Sequence, residues 1–441
     1  MQDLSLISSG QQQRALWLST FAFTTCFAVW MIFSIIGIQI KEQLGLNDTQ
    51  FGLLIATPVL TGSVIRVFLG IWADQFGGRR VLALVMLCGA AATWMLTYAE
   101  TYPQFLVAAL FVGISGGSFS VGVAYVSKWF PANRQGTALG IFGAGNIGSA
   151  VTKLLAPLVM VAFGWMMVAK VWAVGLAVVA VVFYLLTDDD PSLAERRKSG
   201  VKPMPFREQM APLKNLQVWR FSLYYFFVFG AFVALALWLP RYLMGAYELD
   251  LKTAGLLAAC YSIPASLFRI VGGWMSDKLG ARTVMYWTFG VSVVCTFLLA
   301  YPDTQYVVKG IEGDISFRLA IGVVPFTVLV FVLGFFMSLG KAAVYKHIPA
   351  YYPHHVGAVG GVVGMIGGLG GFVLPITFGA LNDLTGIWSS CFMLLFLLVA
   401  GALAWMHFAI RRMERRSFPQ IDGQTDLPEI IDAVALDRVR G

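Results

Sequence analysis

The fold is decided by the stretch Thr61-Gly-Ser-Val-Ile-Arg66-Val-Phe-Leu-Gly70-Ile-Trp-Ala-Asp74-Gln-Phe-Gly77-Gly-Arg79-Arg80. Its apolar part is long and oily enough to predict a membrane-spanning helix, yet it contains Arg66. By α-helical rise, Arg66 lies about 12 Å from Asp74 at the helix end. Because the hydrocarbon core is about 30 Å thick, the guanidinium lies roughly at mid-depth. A charge there costs several kcal/mol and is tolerated mainly when it faces a cavity or a partner.

The same stretch occurs again 203 residues later, as Ser266-Leu-Phe-Arg269-Ile-Val-Gly-Gly273-Trp-Met-Ser-Asp277-Lys-Leu-Gly280-Ala-Arg282. The register holds without a gap: Arg66 corresponds to Arg269, Gly70 to Gly273, Asp74 to Asp277, Gly77 to Gly280 and Arg79 to Arg282. This repeat predicts two copies of one helical bundle, each contributing one buried arginine to the interface between them.

Composition points to the same class of protein. Of the 441 residues, 58% are hydrophobic and 12% charged, and the mean hydropathy is +0.75. Soluble domains carry about 25% charged residues, so this chain is predicted to be a polytopic membrane protein. The sequence shows no soluble domain with a basic face, so it predicts no nucleic-acid partner. The cysteines lie in apolar runs without paired spacing and predict neither disulfides nor a metal site: Cys26, Cys88, Cys260, Cys295 and Cys391.

We predict an all-α protein with twelve transmembrane helices in two pseudo-symmetric six-helix bundles. The predicted spans are 15–40, 50–73, 80–99, 104–129, 136–163, 167–187, 218–244, 252–276, 283–301, 318–347, 357–382 and 387–410. The resulting units are a first bundle (1–187), a connecting loop (188–217), a second bundle (218–416) and a polar tail (417–441). Basic residues such as Arg79, Arg80, Arg282 and Arg411 collect on one side, which places both termini in the cytoplasm. The second half also carries a polar insertion, Pro302–Ser316.

The two arginines are the first candidates for chemistry. Mid-span depth leaves little room for snorkelling, and no predicted span offers a carboxylate at that depth. Two unneutralised guanidiniums at a pseudo-twofold axis favour an anion, and the planar fork of arginine fits a planar oxyanion better than lysine does. The alternative is a purely structural role for each arginine.

Glycines at three- and four-residue spacing open the fifth and eleventh spans: Gly140, Gly143, Gly145 and Gly148, then Gly360, Gly364, Gly367, Gly368 and Gly371. Close helix packing accounts for most of them, but smooth faces also suit helices that slide or that let backbone approach a small ligand. Asn146 lies about 15 Å into its helix, at the depth of Arg66. It can bind a ligand or form an interhelical hydrogen bond.

Further charges follow from the same spans. Asp74, Arg79, Asp277 and Arg282 at the cytoplasmic turns predict structural or gating charge pairs. Lys153 lies two turns after Asn146 on the same helix face. Three roles are open for Lys153: a second binding position for the anion, a group that exchanges a proton, or a structural lysine that donates to backbone carbonyls.

At these positions the chain resembles a known family. The loop Gly70-x-x-x-Asp74-x-x-Gly77-Gly78-Arg79-Arg80 is similar to the signature of the major facilitator superfamily. Arg66, Arg269 and the two glycine-rich segments look like the nitrate/nitrite porters of the NarK type. The resemblance covers residues 15–410 and implies an anion between the two arginines. It further implies that Phe119 and Phe229 sandwich the anion, and that Asn146 and Tyr225 add polar contacts.

The resemblance implies a secondary active transporter that imports nitrate across the bacterial inner membrane by alternating access, acting as a monomer without a cofactor. The short connection Phe163-Gly-Trp and the in-span lysines Lys153 and Lys341 favour proton symport, with Lys153 as the proton-coupling group. A nitrate/nitrite antiporter or a nitrite exporter is the alternative. A membrane sensor would need a soluble output domain, and an enzyme would need a catalytic constellation that the spans lack.

Overall fold

The structure is a computed structural model that describes residues 8–130, 132–189, 214–351 and 356–417. The helices of the first half are α1 Ser9–Trp30, α2 Phe33–Leu44, α3 Asp48–Phe76, α4 Gly78–Met95, α5 Tyr102–Val112, α6 Ser118–Ser127, α7 Ala132–Gly143, α8 Gly148–Phe163 and α9 Trp165–Leu186. Those of the second half are α10 Leu216–Tyr225, α11 Phe232–Tyr247, α12 Leu251–Leu267, α13 Arg269–Leu279, α14 Ala281–Leu299, α15 Val323–Tyr351, α16 Val356–Thr385 and α17 Ser390–Ser417. Within the described residues, twelve helical segments are long and apolar enough to cross a membrane, as predicted.

The sequence repeat extends to the helix ends. Asn47 caps α3 by accepting from the backbone N–H of Gln50 at 2.7 Å, and Asp250 caps α12 by accepting from Lys252 N at 2.9 Å. These caps are again 203 residues apart. Gly77 and Gly280, which follow α3 and α13, both have positive φ, 95° and 81°. Glycine adopts this conformation without steric cost, so the same sharp turn starts the next helix in both halves.

The α-helical geometry is interrupted inside the described spans at Met31–Ile32 and at four places nearer the middle of the chain. Gly113–Gly117 and Ala144–Ile147 are 3₁₀ segments, and Phe226–Ala231 is a π-helical segment. The fourth lies at Phe268, between α12 and α13, where ψ is 3°. Pro264 precedes this break and supplies no backbone N–H to the preceding turn. Such irregular turns are often found at functional sites.

The connection between the ninth and tenth spans differs from its prediction. The segment expected to be a polar insertion forms a β-hairpin, in which β1 Thr304–Lys309 pairs antiparallel with β2 Asp314–Leu319. The prediction that the tenth span begins at 318 was therefore wrong, because α15 begins at Val323. The alternation of polar and apolar residues in 304–319 favours strand pairing over a disordered loop.

The two halves of the chain touch closely along α3 and α16 and along α8 and α12. A Cβ built on Gly52 of α3 would lie 2.3 Å from the carbonyl oxygen of Pro375. A Cβ on Gly255 of α12 would lie 2.4 Å from the carbonyl oxygen of Lys153. Only glycine permits backbones to approach this closely, so these two contacts depend on residue type.

Beyond Gly52, at the start of α3, a charged group joins four helices; we call it the Asp48 cluster. The carboxylate of Asp48 lies 3.1 Å from Lys41 Nζ and 3.6 Å from Arg241 Nη2, and it accepts a hydrogen bond from Asn382 Nδ2. Asp383 accepts from the backbone N–H of Asp48 at 3.0 Å and therefore binds the positive end of α3. These contacts join the two halves of the chain at this end of the bundle.

Candidate anion-binding site

Two guanidinium groups converge on one aromatic ring inside the bundle. The Cζ atom of Arg66 lies 5.6 Å from the ring centroid of Phe119, and that of Arg269 lies 5.7 Å from the same centroid. Arg66 comes from α3 and Arg269 begins α13. The two halves therefore each contribute one arginine here, as predicted, but Arg269 is half-buried and not buried as expected.

Other aromatic side chains connect the two arginines by a second route. Arg66 lies 5.4 Å from the ring of Phe229, which stacks on Tyr225 with centroids 5.1 Å apart. Tyr225 meets Tyr345 edge-on at 5.0 Å, and Tyr345 lies 5.8 Å from Arg269 Cζ. The contacts form a closed circuit, which we call the arginine–aromatic ring: Arg66, Phe119, Arg269, Tyr345, Tyr225 and Phe229.

The site retains hydrogen-bond donors that the described protein atoms do not use. Arg66 donates from Nε to the carbonyl oxygen of Gly116 at 3.3 Å. Among the described residues, the buried Nη1 of Arg269 has no hydrogen-bond partner. The same holds for Nδ2 of Asn146, whose side chain is 1% exposed. Buried donors left unpaired cost about 1–3 kcal/mol each, so a ligand that accepts from them stabilises the protein.

Neither arginine has an acidic partner. Within residues 8–130, 132–189, 214–351 and 356–417, Arg66 and Arg269 form no ion pair. Arg66 is 8% exposed and its guanidinium also lies 5.3 Å from the ring of Trp30, so it does not snorkel. Cation–π contacts offset part of the burial cost of a guanidinium but do not neutralise its charge. The arrangement is suited to binding an anion.

Glycines allow the backbone of α16 to lie against this ring. A Cβ at Gly367 would lie 2.3 Å from Tyr225 Cδ1, and one at Gly364 would lie 2.7 Å from Tyr345 Oη. A Cβ at Gly368 would lie 2.2 Å from Ser63 Oγ and 3.7 Å from Arg66 Nη1. On α7, a Cβ at Gly143 would contact Arg269 Nη1 at 3.3 Å.

The remaining predicted glycines divide into two groups. Gly145, Gly148 and Gly371 sit in contacts that a Cβ would fill, with nearest atoms at 2.5, 2.1 and 2.6 Å. A Cβ at Gly140 would meet nothing within 4 Å, and one at Gly360 would make ordinary contacts. Close packing therefore explains most of these glycines, and helix sliding stays a prediction.

Two buried lysines attach to α12 just before Arg269. Lys153 Nζ donates to Ser262 Oγ at 2.9 Å, and Lys341 Nζ donates to the carbonyl oxygen of Ala265 at 2.8 Å. Lys341 also lies 3.2 Å from the ring centroid of Phe232. Both lysines are 0% exposed, and neither forms an ion pair with any described residue. The acceptor of Lys341, Ala265, lies one helical turn before Arg269, and the acceptor of Lys153, Ser262, lies two turns before it. The sequence analysis singled out Lys153, whose acceptor is the more distant of the two.

The charged turns at the opposite end from the Asp48 cluster pair within their own halves. Arg79 donates from Nε to the carbonyl oxygen of Tyr184 at 3.0 Å and lies 3.8 Å from Asp189. Asp277 lies 2.6 Å from Lys346 Nζ. Arg79 and Asp277 therefore each pair with a charge outside the two turns. The side chain of Asp74 lies outside the described residues, and a gating role for Arg79, Asp277 and Arg282 stays a prediction.

Sequence reasoning missed Tyr345 and Trp30 as members of the site and gave Lys341 no binding role. The sequence did contain a signal for Lys341. When Phe130-Pro131 is aligned with Tyr352-Pro353, Lys341 occupies the position in the second repeat that Phe119 occupies in the first. No sequence signal marked Tyr345, whose place depends on the contact between α10 and α15.

Comparison with known proteins agrees with this geometry. The profile of the Major Facilitator Superfamily matches residues 18–311 and 242–434. The probable nitrate/nitrite antiporter NarK1 of Thermus thermophilus is 42% identical over 427 residues, which cover 94% of this chain and 95% of that protein. The nitrite extrusion protein of Bacillus subtilis (strain 168) is 29% identical over 385 residues, covering 87% and 91%.

A solved structure confirms the fold. The bacterial homologue of the human lysosomal transporter Spinster, in an inward-facing and occupied conformation, matches with a TM-score of 0.67 at 15% identity. The match covers 92% of this chain and 98% of that one. The chain therefore belongs to the Major Facilitator Superfamily and, within it, to the nitrate/nitrite porter family, which makes it a multi-pass membrane transporter and not an enzyme.

Proposed function

We propose that this chain carries nitrate across the bacterial inner membrane by alternating access, with the anion bound between Arg66 and Arg269. The observation that carries the proposal is the pair of guanidiniums around Phe119, which have no acidic partner among the described residues. A planar anion between them would stack on aromatic rings and accept from Arg269 Nη1. Nitrite has the same charge and donor requirements, so the site suits both anions.

The test is uptake of labelled nitrate into proteoliposomes. Arg66→Lys and Arg269→Lys should each reduce uptake by at least tenfold, because lysine keeps the charge but loses the bidentate fork. Arg14→Lys is the matched control, since Arg14 on α1 is exposed and should tolerate the same change. Wild-type uptake in either site variant, with the protein correctly inserted, would refute the proposed use of the fork.

We further propose net import coupled to protons, with both termini in the cytoplasm and the monomer as the working unit. Support comes from the connection between α8 and α9, which is the single residue Gly164, and from the in-span lysines. The second candidate is nitrate/nitrite exchange, which the printed name of the Thermus thermophilus relative favours. Uptake driven by a pH gradient into nitrite-free vesicles supports symport, whereas uptake that needs internal nitrite supports exchange.

Lys153 remains our proposed proton-coupling group. It is fully buried, and its partners Ser262 Oγ and Ser149 O are uncharged. Burial disfavours a protonated amine, and an anion bound nearby would offset that penalty. Proton and nitrate would then bind cooperatively and reciprocally.

Lys153→Gln tests this coupling. The variant should still bind nitrate but should not accumulate it under a pH gradient or take up a proton on binding. Lys170→Gln, on the half-buried surface of α9, is the control and should retain both properties. Retained pH-driven accumulation in Lys153→Gln would exclude Lys153 as the proton site.

A further inference from the structure

The β-hairpin between α14 and α15 has two chemically different faces. In the antiparallel register, the pairs on one face are Thr304 with Leu319, Tyr306 with Phe317, and Val308 with Ile315. The pairs on the other face are Gln305 with Arg318, Val307 with Ser316, and Lys309 with Asp314. Five of the six residues on the first face are apolar, and we call this the apolar face.

The apolar face is ordered but uncovered by the described protein. Tyr306 and Phe317 stack with centroids 5.3 Å apart at 19°, which fixes the register across the strands. Tyr306 is nevertheless 37% exposed, and Phe317, Val308 and Ile315 are 48%, 48% and 59% exposed. An isolated two-stranded hairpin is marginally stable in water, so this one requires a partner for its apolar face.

The position of the hairpin limits what that partner can be. Thr304 follows α14 and Leu319 precedes α15 with only a few residues between strand and helix at either side. Both helices belong to membrane-spanning segments. The base of the hairpin therefore lies at the membrane surface.

The adjoining ends of the two membrane-spanning helices expose apolar side chains, as a surface that faces lipid does. Phe297 and Leu298, in the last turn of α14, are 60% and 42% exposed, and Val324 and Val328 at the start of α15 are 69% and 57% exposed. The hairpin begins and ends within a few residues of these exposed apolar side chains. The hydroxyls of Tyr301 and Tyr306 meet at the junction, and tyrosine is enriched at membrane–water interfaces.

The opposite face suits water. It carries the ion pair between Arg318 and Asp303, with side chains 72% and 50% exposed, and also Lys309 and Asp314. An apolar face opposite a charged face is the arrangement of amphipathic segments that lie in the interfacial plane of a bilayer.

We propose that the hairpin 304–319 lies on the bilayer with its apolar face inserted among the lipid headgroups and upper acyl chains, so that it anchors the ends of α14 and α15. The occupant is the lipid of the membrane that the protein itself spans. This contact is independent of the transported anion.

The test uses two neighbouring residues of the same type on opposite faces. Val308→Cys and Val307→Cys are made singly in a cysteine-free background, spin-labelled, and reconstituted in phosphatidylcholine–phosphatidylglycerol vesicles. Collision rates with oxygen, which concentrates in lipid, and with a water-soluble nickel chelate are then compared. We expect the label at 308 to favour oxygen and the label at 307 to favour the nickel chelate, with at least a threefold difference in the ratio of the two rates.

Two other results would overturn the proposal. Equal and high nickel accessibility at both positions would mean that the hairpin stands in water. Protection of position 308 from both reagents, with spin–spin broadening that grows with the protein-to-lipid ratio, would mean that a second copy of the chain covers the face. Ile315→Cys and Ser316→Cys repeat the comparison on the other strand, so failure of one labelled variant to fold leaves a full test.

Discussion

Replacing Gly52 by alanine should open the end of the bundle that carries the Asp48 cluster. The new Cβ would lie 2.3 Å from Pro375 O, 2.9 Å from Pro375 C and 3.0 Å from Ile376 Cα. Ordinary contacts begin at 3.4 Å, so α3 and α16 must separate by about 1 Å. All three atoms belong to backbone, which cannot rotate away as a side chain does.

The cost of this overlap sets the size of the effect. Overpacking costs about 1–3 kcal/mol. The cost applies only to the conformation in which α3 and α16 touch at Gly52. The population of the conformation open at this end should therefore rise by about 5- to 150-fold relative to the closed one.

Distances between spin labels measure this shift directly. Labels on Glu42→Cys in α2 and Leu384→Cys in α16 are both exposed and report on the two sides of the Asp48 cluster. Gly52→Ala should add a longer distance to the distribution. Gly70→Ala is the control on the same helix, because its Cβ would meet only Ser120 Cβ at 4.0 Å.

The control also removes a competing effect. Alanine stabilises a helix by up to about 1 kcal/mol relative to glycine, and both variants gain this equally. The difference between them therefore isolates the contact with Pro375. An unchanged distance distribution in Gly52→Ala would refute the argument that this contact holds the end closed.

Two further predictions concern single polar contacts. Lys341→Met should raise the KM for nitrate about tenfold. The carbonyl of Ala265 loses its donor, at a cost of about 1–3 kcal/mol, and the helix break that positions Arg269 loosens. Uptake kinetics at unchanged expression measure the KM, and an unaltered value would contradict this prediction. Asp383→Asn should weaken the contact with the start of α3 by about 0.3–1 kcal/mol. Its spin-label distances should shift in the same direction as those of Gly52→Ala, and a shift towards shorter distances would contradict the role assigned to the carboxylate.

The parts of the site that the sequence predicted are those repeated in it. Arg66 and Arg269 share a register, and the repeat fixes their depth and their approach to one axis. Phe119, Phe229 and Tyr225 were placed by resemblance; the structure puts Phe119 and Phe229 against Arg66, and Tyr225 against Phe229 and Tyr345. Asn146 is buried with a free amide, although the described contacts do not join it to the ring.

The parts that could not be predicted depend on contacts distant along the chain. The Asp48 cluster joins residues more than three hundred positions apart, and each charge alone resembles an ordinary loop charge. The hairpin was missed for a different reason. Its charges made the segment look polar as a whole, although the apolar residues alternate with them at the strand period.

The charges inside the bundle constrain how transport is coupled. Four cations lie inside the bundle: Arg66, Lys153 and Lys341 are buried, and Arg269 is half-buried. A single nitrate between the arginines supplies one negative charge, which cannot balance them all. Arginine does not release its proton in proteins, so only the two lysines can change charge during the cycle. Because α12 binds both lysines and leads directly into Arg269, a change in their charge would act on the helix that positions one half of the anion site.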